Sequence, residues 1–332
     1  MEKKQTLNNV LLAGVLVDKD LKITEDLTGK TKEGVEYNYN AISGKIILRT
    51  NDGSEIEVNT YSKDKKSDGV GENGIYKALC TVMDDYVSLK DLDSNYSVAD
   101  EEKMKEYLGQ VDYVKIGAGS FDVNDYKSKQ DGTIKTINKI KANFFNKLSN
   151  QDKEYTKLES KFEIEGVIDK ITDITKKDGT LTGDKQVILN ILGYQGTIIP
   201  VKLTLPQALV QPFMSMGYYE GVATTLWGKI INTKKEETIT EQAGFGASNE
   251  RVVTTTIRRY EITGGKPPVA LETLQGWTQP DYQDALAKRK LKLDSLLVEN
   301  NNSNGQTQPN TSQNNPFAQQ GQANTYNPFA QQ

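Results

Sequence analysis

Two stretches of this chain carry one pattern, AGVLVDKDLKIT at residues 13–24 and EGVIDKITDIT at residues 165–175, each with a glycine inside an alternating apolar run. Alternation at period two reads as a half-buried strand. A glycine in such a strand costs stability unless the strand must bend or another backbone must come close, and a small, sharply coiled barrel requires both. Around each copy the chain runs in the same order: strand, polar loop, hairpin, helix, strand, loop, strand.

In the first copy these pieces are Leu7 to Thr24, a loop from Glu25 to Glu36, and AISGKIILRT and SEIEVNTYSK joined by an Asp52-Gly53 turn. A helix follows Gly74, from the spacing of Ile75, Leu79, Val82 and Met83, with Cys80 as a small core residue. A second, acidic helix is expected over Ala99 to Leu108. VDYVKIGAGSFDV and IKTINKIKANFFNKL then flank an Asp131-Gly132 turn. In the second copy come a Gly-containing loop from Lys176 to Asp184, KQVILNILGYQG, TIIPVKLTLP, a short helix from Pro206, GYYEGVATTLWGKIINT and RVVTTTIRRYEIT. Pro200 calls for an edge position or a bulge. Thr233 to Arg251 reads as a long loop, either one able to close over a ligand or a plain excursion. The expected fold is therefore mainly β with minor α: two tandem OB-fold-like five-stranded barrels, a C-terminal helix and a disordered tail. The expected divisions are 1–148 for the first barrel with its acidic insert, 149–160 for a linker, and 161–264 for the second barrel. Residues 265–299 form a connector and amphipathic helix, and 300–332 the tail.

Several function classes lose their parts. The chain has no histidine and one cysteine, Cys80, which excludes internal disulfides, thiolate metal cages and the commonest general base. No GxxxxGK[ST], GxGxxG or GxSxG motif is present. The acid pairs, Asp84 with Asp85 and Asp100 with Glu101, read as solvated faces. The expectation is a protein without enzymatic activity, cofactor or metal. No apolar run approaches the ~20 residues that span a bilayer, and MEKKQTLNN lacks the apolar core of a secretory signal. A cytoplasmic location follows, in a bacterial cytosol or an infected host cell. The net charge is −4, yet residues 84–106 alone hold eight acids and three lysines, which leaves room for a basic groove elsewhere.

Period-two alternation places cations and rings together on outward faces. In the first copy these are Lys45, Arg49, Tyr61, Phe121, Lys139, Lys141 and Phe145; in the second they are Trp227, Lys229, Arg258 and Tyr260. Flat rings stack bases and cations neutralise phosphates, which is what a single nucleic-acid strand requires. A tryptophan packed on a neighbouring strand is the competing account of Trp227, and a one-residue slip in register would bury the whole set. On the last helix Lys288, Arg289, Lys290 and Lys292 share a polar side. Residues 300–332 are uncharged and rich in Asn and Gln, and they repeat Asn-Pro-Phe-Ala-Gln-Gln at 315–320 and 327–332. Pro316, Phe317, Pro328 and Phe329 would make a short docking motif; low-complexity drift is the competing account of the repeat.

In strand order and glycine placement over residues 7–263, the chain resembles phage-type and other OB-fold single-stranded DNA-binding proteins. That resemblance implies stoichiometric coating of single-stranded DNA in replication or recombination, with salt-dependent affinity and little sequence preference. The tail is similar to the bacterial tails whose Pro-Phe tip recruits replication and repair enzymes. It departs from them in being uncharged and in carrying Ala330-Gln331-Gln332 after the last phenylalanine. Two rival readings stand beside this one: a virion structural or assembly protein that uses β-barrels as packing modules, and an RNA-binding protein on the same fold. The oligomeric state stays open.

Overall fold

Strand forms wherever the alternation has one face to bury. A computed structural model describes residues 5–96, 105–149, 157–176, 178–241, 245, 249–274 and 276–298. The first half contains β1 (Asn8–Lys30), β2 (Glu36–Arg49), β3 (Glu55–Lys63), α1 (Gly74–Asp85), α2 (Leu89–Leu92), β4 (Tyr113–Gly117), β5 (Ser120–Lys127), β6 (Ile134–Lys141) and β7 (Phe144–Lys147). β1, β2 and β3 form an antiparallel meander. β3 then runs parallel to β6 at Val58 and Ile140, while β5–β6 and β4–β7 pair antiparallel. β4 returns to β1 at Ala13 and Lys115, which closes the barrel. With β4–β5 and β6–β7 each counted as one bent path, the order is 1-2-3-5-4-1, that of the OB-fold.

The second half repeats this order with β8 (Ser160–Thr175), β9 (Leu181–Leu192), β10 (Ile198–Leu205), α3 (Gln207–Ser215), β11 (Ala223–Glu241) and β12 (Asn249–Gly265). β10 pairs parallel with β12 at Thr204 and Glu261, and β11 closes onto β8. Pro200 pairs with Asn190 on one side, away from the single parallel register point on the other, so its missing N–H leaves no ladder bond unmade. The expected loop from Thr233 to Arg251 is instead mostly strand: β11 and β12 stay in register from Thr233–Ile257 out to Glu241–Asn249. In the expected acidic helix, residues 105–107 are helical, and its first part lies outside the described residues.

The two repeated glycines do the same work. A Cβ on Gly14 would fall 2.5 Å from the Arg49 carbonyl oxygen, and one on Gly166 would fall 2.2 Å from that of Asn190. Each glycine is followed by a register shift at the same spacing, Leu16/Asp18 in β1 and Ile168/Lys170 in β8. The first strand of each barrel therefore crosses its neighbour closely and then turns.

The barrels join through these same strands. β1 and β8 pair antiparallel from Asn8–Ile164 to Leu12–Ser160. Val10 and Phe162, each four residues before its glycine, face one another at the centre of this ladder. Equivalent positions thus meet about a pseudo-two-fold axis. Phe121 of β5 sits edge-on to Phe162 at 5.8 Å and to Tyr260 of β12 at 4.8 Å. One apolar core runs through both barrels. Asn138 of β6 bonds the second barrel twice, donating to Pro200 O at 2.6 Å and accepting from Lys202 N at 3.1 Å. After β12 the connector folds back over the second barrel, burying Leu271, Leu274 and a fully enclosed Trp277 against Val167, Leu192, Ile198 and Ala223. It leads into α4 (Gln279–Val298).

Candidate nucleic-acid interface

The outward positions of β2, β3 and β6 lie side by side. Ser43 is opposite Tyr61 and Lys45 opposite Asn59 across β2–β3, and Asn59 is level with Lys141 in the parallel β3–β6 pair. At one end of this face the β1–β2 hairpin tip and the loop after β3 rise to form a recess of about 500 Å³. Tyr37 and Tyr61 line it with Asn143 and five lysines, Lys30, Lys32, Lys63, Lys65 and Lys66, and no acidic side chain is among its walls. Tyr39 lies beside Tyr37, with ring centres 5.7 Å apart. The Lys63 ammonium sits 4.1 Å from the centre of the Tyr39 ring and 5.9 Å from that of Tyr37.

This arrangement is chemically simple. Tyr61 is about half exposed, and its phenol is pushed up to about 12 by partial burial and by its hydrogen bond with Tyr39. It therefore stays neutral through physiological pH and offers a ring and a hydroxyl. Lys30 pairs with Glu36 at 3.2 Å with both side chains well exposed, a contact worth little in water. Farther along the face the cations carry their own counter-ions: Lys45 meets Glu57 at 3.6 Å, and Lys141 pairs with Asp122. The recess therefore gathers the densest cluster of lysines on this face, with the acids nearest to them, Glu36, Asp68 and Glu72, lying outside its walls.

The structure sorts the residues that alternation proposed. Lys45, Tyr61, Lys139 and Lys141 share the outward face of β2–β3–β6, and Arg258 approaches it from β12, where it bonds the Tyr260 hydroxyl. Four others are corrected. Arg49 is outward by register, but the segment after α1 covers it; only 5% exposed, its guanidinium donates to the Tyr96 hydroxyl at 2.9 Å and pairs with Glu55 at 3.5 Å. Burial on its own raises the Glu55 carboxyl, more than Arg49 lowers it. Phe121 and Phe145, 1% and 6% exposed, point into the core. Tyr260 is mostly buried against Phe121, which raises its phenol. None of these three rings is free to stack a base.

Trp227 and Lys229 are exposed but lie elsewhere, on the outer side of β8–β11 beside Glu163 and Lys161. A Cβ on Gly264 would meet the Trp227 indole at 2.6 Å, so the ring lies over that glycine. Alternation turns Lys63 outward with Tyr61 at the end of β3, whereas Tyr37, Tyr39, Lys65 and Lys66 were missed because alternation weakens at a hairpin tip and in the loop after β3. The signal that could have found them is composition, Tyr-Asn-Tyr beside a hairpin and Lys63, Lys65 and Lys66 within four positions. Pro316, Phe317, Pro328 and Phe329 lie outside the described residues.

The corresponding face of the second barrel is built differently. β9 and β10 contain no aromatic residue. Part of their outward side is occupied: Asn190 donates to the Tyr282 hydroxyl of α4 at 2.9 Å, and Pro200 and Lys202 meet Asn138. α4 is held from the other side by Arg289, whose guanidinium grips the Asp125 carboxylate at 2.9 and 3.2 Å. Among the described residues no cluster of His, Cys, Asp and Glu could hold a metal ion, and no helix is long and apolar enough to cross a membrane.

A family model described as YorF matches residues 8–297. No curated protein matches the chain. Among solved structures, the wild-type single-stranded DNA binding protein from Thermus aquaticus is 12% identical over 80% of this chain and 94% of its own, with a TM-score of 0.35. A deletion mutant of that protein is 13% identical over 80% of this chain and 96% of its own, with a TM-score of 0.33.

Proposed function

This chain belongs to the YorF family, and we propose that it binds single-stranded DNA, with the first barrel supplying the contact surface. The observation that carries this is the recess in which tyrosine rings and five lysines converge without an acidic neighbour in the walls. Rings accept bases of any sequence and the lysines neutralise phosphates, so binding would be sequence-tolerant and salt-sensitive. The strand would continue over Asn59 toward Lys45 and Lys141. The role is coating without catalysis, in replication or recombination. The recess favours this over an assembly protein, which has no need of clustered phosphate-binding groups.

The test is fluorescence anisotropy of a labelled ~30-nucleotide oligo-dT titrated at low and high salt, with matched duplex and RNA as competitors. Saturable binding that weakens steeply with salt and is lost in the Tyr61→Ala/Lys63→Ala variant is expected. Equal competition by duplex, or binding unchanged in that variant, would remove the proposal. Stronger competition by RNA would assign the site to RNA.

A further inference from the structure

A second cleft, of about 570 Å³, opens where the β5–β6 hairpin of the first barrel, β9–β10 of the second and α4 come together. Its apolar walls are Tyr126, Ile134, Ile137, Ile188, Pro200 and Leu286. Ile137 and Tyr126 remain 40% and 37% exposed there, an unusual position for such side chains at the junction of three packed elements. The cations at the rim are largely answered by the protein's own acids, Arg289 by Asp125 and Lys135 by Asp131. The site asks for an apolar group more than for a charged one.

The last helix ends beside this cleft. The Lys127 ammonium, next in sequence to the wall residue Tyr126, donates to the Leu297 carbonyl at 3.2 Å. The chain that continues from there carries no charge between 300 and 332 and contains two Asn-Pro-Phe-Ala-Gln-Gln repeats. An extended chain from Val298 to Phe317 reaches at most about 65 Å, more than enough to return to the cleft. We propose that the cleft is the docking site for a phenylalanine of the chain's own repeat, Phe317 or Phe329. The ring would fill the space between Ile137, Ile188 and Leu286. The preceding proline restricts the backbone before binding, which lowers the entropy lost on docking. The inference is independent of the nucleic-acid reading.

The probe is a fluorescein-labelled peptide of residues 321–332, GQANTYNPFAQQ, titrated into the full chain and followed by anisotropy. Against the Phe317→Ala/Phe329→Ala chain the peptide is expected to bind saturably. Against the unaltered chain it should bind at least about tenfold more weakly, because a tethered tail competes at an effective concentration of roughly millimolar. Ile137→Asp, placed in the double variant at a half-exposed position and shown by circular dichroism to fold, should abolish the binding. The proposal fails if the double variant does not bind the peptide, if the unaltered chain binds it equally well, or if Ile137→Asp leaves binding intact.

Discussion

The two barrels share a strand order, a glycine and a bulge, yet present opposite surfaces at equivalent strands. The second and third strands of the first barrel carry Tyr37, Tyr39 and Tyr61 beside lysines and lie open. Those of the second carry no ring and are partly occupied by α4 and by Asn138 of its neighbour. A duplicated fold therefore does not entail a duplicated site. The core positions that close a barrel are fixed by packing, whereas the outward positions are free to become a binding face in one copy and an internal joint in the other.

The largest effect expected from this contrast is the loss of binding in Tyr39→Ala/Tyr61→Ala. Base stacking on an aromatic contributes about 1–3 kcal/mol per ring, so removing two should weaken oligo-dT binding by roughly a hundredfold or more. Anisotropy titrations at fixed salt check it. The pH profile belongs with this prediction. With no histidine in the chain and the Tyr61 phenol pushed up to about 12, neither a histidine nor Tyr61 changes charge between pH 6 and 9, and affinity should show no step from either there. A midpoint near neutrality would mean that other groups make the contact.

The joint of the second barrel is broken next by Arg289→Ala. Burial alone would raise the Asp125 carboxyl, but the hydrogen bonds from Thr136 and Arg289 and the charges of Arg289 and Lys292 more than reverse this, and its pKa lies below the ordinary value. A depressed carboxylate stabilises the fold above its unfolded pKa of about 4 and loses that contribution as pH falls through the folded value. Arg289→Ala should cost roughly 2 kcal/mol near pH 7. The deficit should shrink below about pH 4, while DNA affinity stays the same. Urea unfolding at several pH values measures the first part. A loss of affinity as large as that of the tyrosine variant would make α4 part of the binding surface.

Much of this was legible in the sequence and part was not, for definite reasons. Gly14 and Gly166 announce the barrel twice because no other residue permits so close a crossing. Lys45, Tyr61, Lys139 and Lys141 could be placed because period-two alternation holds where one face is buried. Arg49 and Phe145 show where this stops. An outward residue can be covered by a segment far off in sequence, as Tyr96 covers Arg49. The break at Ala142 and Asn143 between β6 and β7 resets the parity, so Phe145 points inward although Lys141 points out. The use of β9–β10 as a joint depends on contacts with β6 and α4 that no local pattern encodes.

A smaller effect should come from Glu57→Gln. Glu57 holds Lys45 at 3.6 Å on the open face, so a phosphate reaching Lys45 must displace a carboxylate. Removing that charge should tighten binding by about two- to threefold, in line with a partly exposed ion pair. It should also steepen the salt dependence, by up to about 0.7 in the logarithmic slope if one more phosphate is neutralised. An unchanged slope would place the strand's path away from Lys45 and confine it to the recess.

The smallest effect bears most directly on the comparison. Trp227 is the exposed ring that the second barrel offers near a cation, and on sequence alone it is a natural platform for a base. In the fold its indole is laid over Gly264, on the outer side of β8–β11, among Glu163, Lys161 and Lys229 rather than among the lysines of the recess. One face is already stacked on backbone, and the strands that line the recess are in the other barrel. Trp227→Ala should therefore change oligo-dT affinity by less than about twofold, within the ordinary range for a surface substitution, and indole fluorescence should respond little to saturation. If the variant instead binds as poorly as Tyr39→Ala/Tyr61→Ala, the second barrel also contacts DNA, through its first and fourth strands, and the division of labour between the barrels must be given up.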